Sequence, residues 1–173
     1  MDKAHSEISK HAIMGLGMGP PLTEALVCRM ALDLALLHGG GFMSKADIKR
    51  RFHEHVLGLQ DRISAQLMAL DPQLQLTEDP WKREALEGGD GGGGRTRAFM
   101  GEVIENAGVN TSLVYGQADP EFLKRMGGDG SAQMWAAGIS LIIHPRNPKV
   151  PTVHANFRLL EVGKFFFSKT AVA

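Results

Sequence analysis

Cysteine is nearly absent: Cys28 stands alone among 173 residues. One thiol excludes an internal disulfide framework and a cysteine-clustered zinc site, and a reducing compartment is its natural setting. Net charge is missing too. Nineteen Lys and Arg balance nineteen Asp and Glu, so no nucleic-acid partner is expected, although a local cationic pocket fits this balance. There is no long apolar run either. A membrane-spanning helix needs ~18 consecutive apolar residues, and the most apolar stretch, Leu26 to Leu37, is interrupted by Arg29 and Asp33. The first residues lack the order of a targeting signal, because Asp2 and Glu7 offset Lys3 and Lys10 and no charge-then-apolar sequence follows. The expectation is a cytoplasmic chain without a membrane span.

What the chain does contain is ordinary globular material. Apolar residues make up 43% and charged residues 22%, enough for one domain with a real core. Leu26, Met30, Leu34 and Leu37 have helical spacing, and Gly39-Gly40-Gly41 is a natural stop. A longer helix follows. Ser44 precedes Asp47 by three residues, a capping box with aspartate in the usual Glu position. Ile48, Phe52, Val56, Leu59, Ile63, Leu67 and Leu70 then form one apolar stripe, and Pro72 ends it. His53 and His55 are expected to be solvated.

Glycine, twenty-one residues in all, is the unusual abundance, and it clusters. The run Gly88-Gly-Asp-Gly-Gly-Gly-Gly94 lacks the lysine order of a phosphate loop and is not set in a strand–turn–helix unit. It is expected to be a mobile loop, carrying Arg95 and Arg97 toward an anion or toward surface acids. Short strands are expected over 96–105 and 108–116, with turns at Gly101 and Gly108. Asp119-Pro120 is an N-cap and first helical position, and Gly127-Gly128 a stop. Strands over 138–144 and 152–161 flank Pro145-Arg-Asn-Pro148-Lys-Val-Pro151, a stiff connection. Helices followed by strands predict an α+β domain with an antiparallel sheet.

The last strand carries the chemistry. Side chains two apart share a face, so His154, Asn156 and Arg158 stand in a row ~6–7 Å apart, opposite Val153, Ala155, Phe157 and Leu159. In the preceding strand Ser140 and His144 share a face through Ile142. Arg158 can grip a carboxylate bidentately and His154 can move protons near neutral pH. Such a row suits an acidic substrate. A solvated outer face is the plainer explanation, since half-exposed antiparallel strands alternate in this way. Two histidines alone do not make a metal ligand set.

As strings, several segments resemble the oxygen-dependent coproporphyrinogen III oxidase family. They are Leu57-Gly-Leu-Gln-Asp-Arg-Ile63, Asp79-Pro-Trp-Lys-Arg-Glu84, Gly92-Gly-Gly-Arg-Thr-Arg97, Ala107-Gly-Val-Asn-Thr-Ser-Leu-Val-Tyr-Gly116 and the long run from Gly138 to Arg158. Within that run the order H-P-x-N-P-x-x-P-T-x-H-x-N-x-R is specific. The resemblance covers residues 46–162, preceded by an unmatched extension over 1–45 and followed by a divergent tail over 163–173.

The resemblance implies oxidative decarboxylation of two propionates of coproporphyrinogen III to vinyl groups. The product is protoporphyrinogen IX, an intermediate of haem biosynthesis, with O2 as acceptor and no organic cofactor. His154 matches the family's proton donor. Ser140, Asn156, Phe157 and Arg158 match substrate-contacting positions, and His144 matches a position proposed to hold a divalent metal in some members. The implied fold is a large antiparallel sheet with helices on both faces, usually in a homodimer. Past Val162 the family's aromatic strand, its G-G-G-x-D-L-T-P segment and its aspartate facing the pyrrole nitrogens have no counterpart here. That departure leads to two further expectations: open strand edges, and, as the alternative function, a catalytically incompetent fragment that keeps a tetrapyrrole- or anion-binding face.

Overall fold

The computed structural model describes residues 43–125, 133–163 and 165–172. The helix expected over 26–37, Cys28 and the Gly127-Gly128 stop lie outside the described residues. The first element is α1, Lys45–Leu70. The Ser44 hydroxyl accepts from the Asp47 backbone N–H at 3.1 Å and donates to the Asp47 carboxylate at 2.7 Å, so the expected cap is formed from both sides. Phe52, Val56, Leu59 and Leu67 are buried along the expected stripe. Each such side chain contributes ~1.5–3 kcal/mol when fully removed from water.

The strands are β1 (Gln75–Glu84), β2 (Asp90–Met100), β3 (Ile104–Gln117), β4 (Gln133–Pro145), β5 (Val153–Val162) and β6 (Phe165–Val172), with a short helix α2 (Pro120–Arg125) between β3 and β4. They form one antiparallel meander in sequence order. Helix α1 covers one face, where Phe99, Val109, Ile139, Leu141, Phe157 and Leu159 meet its stripe. Helix α2 covers a corner of the other face, where Leu123 packs with Val162, Leu160 and Met134. Asp119 caps it by accepting from the N–H groups of Glu121 and Phe122. The α+β class and helices on both sides are therefore observed. Among the described residues no helix is long and apolar enough to cross a membrane.

Several expectations need correction. The glycine run is not a loop: Gly91–Gly94 belong to β2. Glycine is required there by close backbone approach. A Cβ at Gly92, whose φ is +91°, would lie 2.1 Å from the Leu113 carbonyl oxygen, and one at Gly93 would lie 2.3 Å from that of Trp81. Gly108 is no turn either but a mid-strand residue of β3 paired with Ile142. Two strands escaped the periodicity altogether. Strand β1 is almost wholly exposed and contains Pro80, a composition tolerated only at an edge. Strand β6 pairs with β5, so the open edges expected for the sheet fall at β1 and β6 rather than at β5. His53 and His55 are half-buried rather than solvated, and burial pushes the His53 imidazole below its ordinary pKa.

Polar groups inside the helix–sheet seam also went unforeseen. Gln60 is fully buried. Its amide nitrogen donates to the carbonyls of Arg95 and Val109, and its oxygen accepts from Arg95 Nε and Thr111 Oγ1. The buried amide is thus satisfied on every side, as burial demands. Asp71, just past α1, accepts from the N–H groups of Gln73, Val103 and Ile104 and so ties the helix end to the β2–β3 turn.

Candidate active site

The face of the sheet opposite α1 carries the candidate residues of β4 and β5, and strand register decides their layout. Residues directly opposite in an antiparallel pair share a face. One row across the sheet runs Trp81, Gly94, Ser112, Gly138, Arg158 and Lys169. The next runs Asp79, Thr96, Asn110, Ser140, Asn156 and Ala171. A third brings Gly108, Ile142 and His154 together. Ser140, His144, His154, Asn156 and Arg158 therefore do stand on one face. Arg158 and His154 are exposed, while Ser140, His144 and Asn156 are half-buried. A shallow hollow of about 130 Å³ on this face is lined by Trp81, Thr96, Asn110, Ser140, Asn156 and Arg158 among others, with His144 and His154 outside its lining.

Phe157 does not join them. Its side chain is 3% exposed and sits in the core under α1. Alternation along β5 sends it to the opposite face from Asn156 and Arg158, so only its backbone lies near the site. Arg95 and Arg97 are likewise on the helix side. Arg95 pairs with Asp61 at 2.7 Å, and Arg97 pairs with Asp61 at 2.8 Å and Glu78 at 2.6 Å. Of the two roles expected for these arginines, the structure shows pairing with acids. A larger groove of about 290 Å³, lined by His53, Leu57, Arg95 and Leu113 among others, opens at the α1 seam and holds none of the residues expected on β4 and β5.

On the free face two histidines meet. Nε2 of His144 lies 3.0 Å from Nε2 of His154, with the ring centroids 5.3 Å apart and the ring planes within 4° of each other. One ring must donate and the other accept, so the pair can pass a proton from one imidazole to the other. Among the described residues no third His, Cys, Asp or Glu completes a metal-binding cluster. Two imidazoles fall short of the three protein ligands usual for a catalytic metal, so these residues do not by themselves fit one.

Trp81, Thr96, Asn110 and Ser112 belong to the same face but were not among the residues expected there. The Asp-Pro-Trp string was visible, yet only the β1–β2 register shows that its indole faces the hollow. A helix-backed antiparallel sheet whose open face carries an imidazole pair, amides and a guanidinium defines an α+β protein with a candidate site on that face. Comparison with known proteins makes this specific. The family model described as coproporphyrinogen III oxidase matches residues 51–172, and the chain belongs to that family. It is 41% identical over 120 residues to an oxygen-dependent coproporphyrinogen-III oxidase of Synechococcus sp. (strain CC9605), covering 68% of this chain and 32% of the relative. It is 40% identical over 117 residues to the protein of the same name from Prochlorococcus marinus (strain MIT 9313), covering 66% of this chain and 32% of the relative. The chain thus spans about a third of the length of these relatives.

Proposed function

We propose that the free sheet face is the substrate floor of an oxygen-dependent coproporphyrinogen III oxidase acting in haem biosynthesis. The observation that carries this reading is one hollow lined by Ser140, Asn156 and Arg158, with His154 on the same face of β5, in a chain of that family. Coproporphyrinogen III bears carboxylate arms, and a guanidinium can hold one of them bidentately. Asn156 and Ser140 supply an amide and a hydroxyl to orient the arm beside it. For each propionate, the outer methylene loses its carboxylate as CO2 and the ring-bound methylene loses a hydrogen with two electrons to O2. A vinyl group forms, and one further proton completes H2O2. His154 supplies that proton, and His144, in hydrogen-bond contact, replenishes it. The reading involves no resident cofactor beyond O2 as co-substrate, no step routed through a metal, and a homodimer in the cytoplasm.

A second reading is favoured by one observation. His154 and Arg158 are exposed on a face that the described residues leave largely uncovered, so water reaches charges that act best in a dry site. The chain then binds the tetrapyrrole without turning it over. Aerobic incubation of the purified chain with coproporphyrinogen III separates the two. Oxygen-dependent appearance of protoporphyrinogen IX supports the enzyme; binding without product supports the second reading. Neither binding nor product rejects both.

A further inference from the structure

Trp81 has no assigned role, and its placement is unusual. A Cβ at Gly94 would lie 2.5 Å from Cζ2 and 2.7 Å from Cε2 of the Trp81 indole, and 2.3 Å from the Thr111 carbonyl oxygen. The indole therefore occupies the space that any side chain at position 94 would fill, and it rests on the backbone of β2. Trp81 is half-buried and lines the hollow on the free face. Pro80 precedes it and stiffens the edge strand at this point.

We propose that Trp81, seated on Gly94, is a ring-stacking shelf that makes this face selective for a pyrrolic macrocycle over a simple carboxylate. The inference rests on the reading that the face takes a tetrapyrrole, and it adds a specificity residue to it. Register supplies the argument. Along the row from Trp81 to Arg158, the intervening positions are Gly94, Ser112 and Gly138, so nothing larger than a hydroxymethyl group rises between them. Four strand spacings separate the two ends, roughly 19 Å between Cα atoms. A small carboxylate held by Arg158 does not span that distance. A ring system with acidic arms does: one arm pairs with Arg158, the flat middle lies over the small residues, and a far ring meets the indole. Offset or edge-to-face contact with an indole rewards a π-system and gives a carboxylate nothing.

The test uses coproporphyrin III, the air-stable oxidised tetracarboxylate, titrated against the chain by its absorbance change, and citrate, titrated by calorimetry, as the carboxylate-only probe. Trp81→Leu keeps apolar bulk and Trp81→Phe keeps a π-face; circular dichroism checks that both fold. Trp81→Leu should bind the porphyrin about tenfold more weakly, and Trp81→Phe within about threefold of the parent. Citrate affinity should be the same in all three. Undiminished porphyrin binding by Trp81→Leu overturns the shelf and leaves the tetrapyrrole reading standing. A parallel loss of citrate binding also overturns it, because Trp81 then only supports the sheet. If the parent chain takes citrate but no porphyrin, the tetrapyrrole reading itself fails and the shelf with it.

Discussion

His144 and His154 sit on neighbouring strands with their Nε2 atoms 3.0 Å apart and their rings nearly parallel. The diagonal register of β4 and β5 produces the contact, since His154 pairs directly with Ile142 and His144 lies two residues further along. A hydrogen bond at this distance requires opposite Nε2 states in the two rings. Nitrogen-15 shifts of labelled histidines at neutral pH should therefore show one Nε2-protonated and one Nε2-bare ring. Finding both rings in one state would remove the hydrogen bond and with it the proton relay.

Arg158 faces the hollow from the middle of β5. Arg158→Ala should weaken a propionate-bearing tetrapyrrole by ten- to a hundredfold, about the value of a charge-assisted bidentate contact. An uncharged ester of the same ring should lose far less. Equal losses for both ligands, measured by the same titration, would mean that Arg158 does not hold a carboxylate.

Gly88 and Gly92 both have positive φ, at +84° and +91°, but only Gly92 faces backbone at close range. Gly88→Ala meets open space and should cost ~1 kcal/mol from conformation alone. Gly92→Ala adds a collision with the Leu113 carbonyl and should cost ~3 kcal/mol or more. Urea unfolding of the two variants checks the difference. Amide exchange gives a second view, because the β2 amides should be protected as ladder members.

Gln60→Leu keeps the volume under α1 but leaves Thr111 Oγ1 and Arg95 Nε without the amide oxygen they share. The expected loss is ~2 kcal/mol in urea unfolding. Gln60→Glu should be worse, since it sets a buried carboxylate oxygen against the carbonyl oxygens of Arg95 and Val109, where the amide nitrogen now donates at 2.8 and 2.7 Å. A glutamate variant as stable as the parent would contradict this account of the seam.

Two carboxyl groups make stability depend on acid. Glu161 is held below its ordinary value chiefly by the hydrogen bond from Lys49 on α1, with Lys45 adding to it against the opposing effect of burial. For Asp71 burial pushes upward, but the backbone donors Val103, Ile104 and Gln73 outweigh it and the pKa is lowered. A lowered carboxylate pKa contributes stability that is complete above the unfolded value and lost as pH falls through the folded one. Loss should begin near the ordinary values of 4.5 for Glu161 and 3.8 for Asp71 and continue below them. Unfolding free energies measured across that range should fall more steeply for the parent than for Glu161→Gln.

Legibility in the sequence followed exposure contrast. Helix α1 was readable to its cap because one stripe is buried and the other face is wet, which imprints a helical period. In β5 the alternation of Phe157 and Leu159 with Asn156 and Arg158 was readable for the same reason. Strand β1 left no such imprint, because an exposed edge strand buries too little to select apolar residues. The glycine run read as a loop because the local chain carries no sign of the neighbours that crowd it.

By itself the amino-acid order determined the family, the long helix and the parity that puts His154, Asn156 and Arg158 on one side of a strand. Those are local properties, set by spacing along the chain. Only the tertiary structure decided that Phe157 serves the core, that Arg95 and Arg97 are consumed by acids on α1 and β1, and that Trp81 reaches the same hollow as Arg158. Each of these depends on cross-strand register, which hydrogen bonding between distant segments sets and no local pattern encodes.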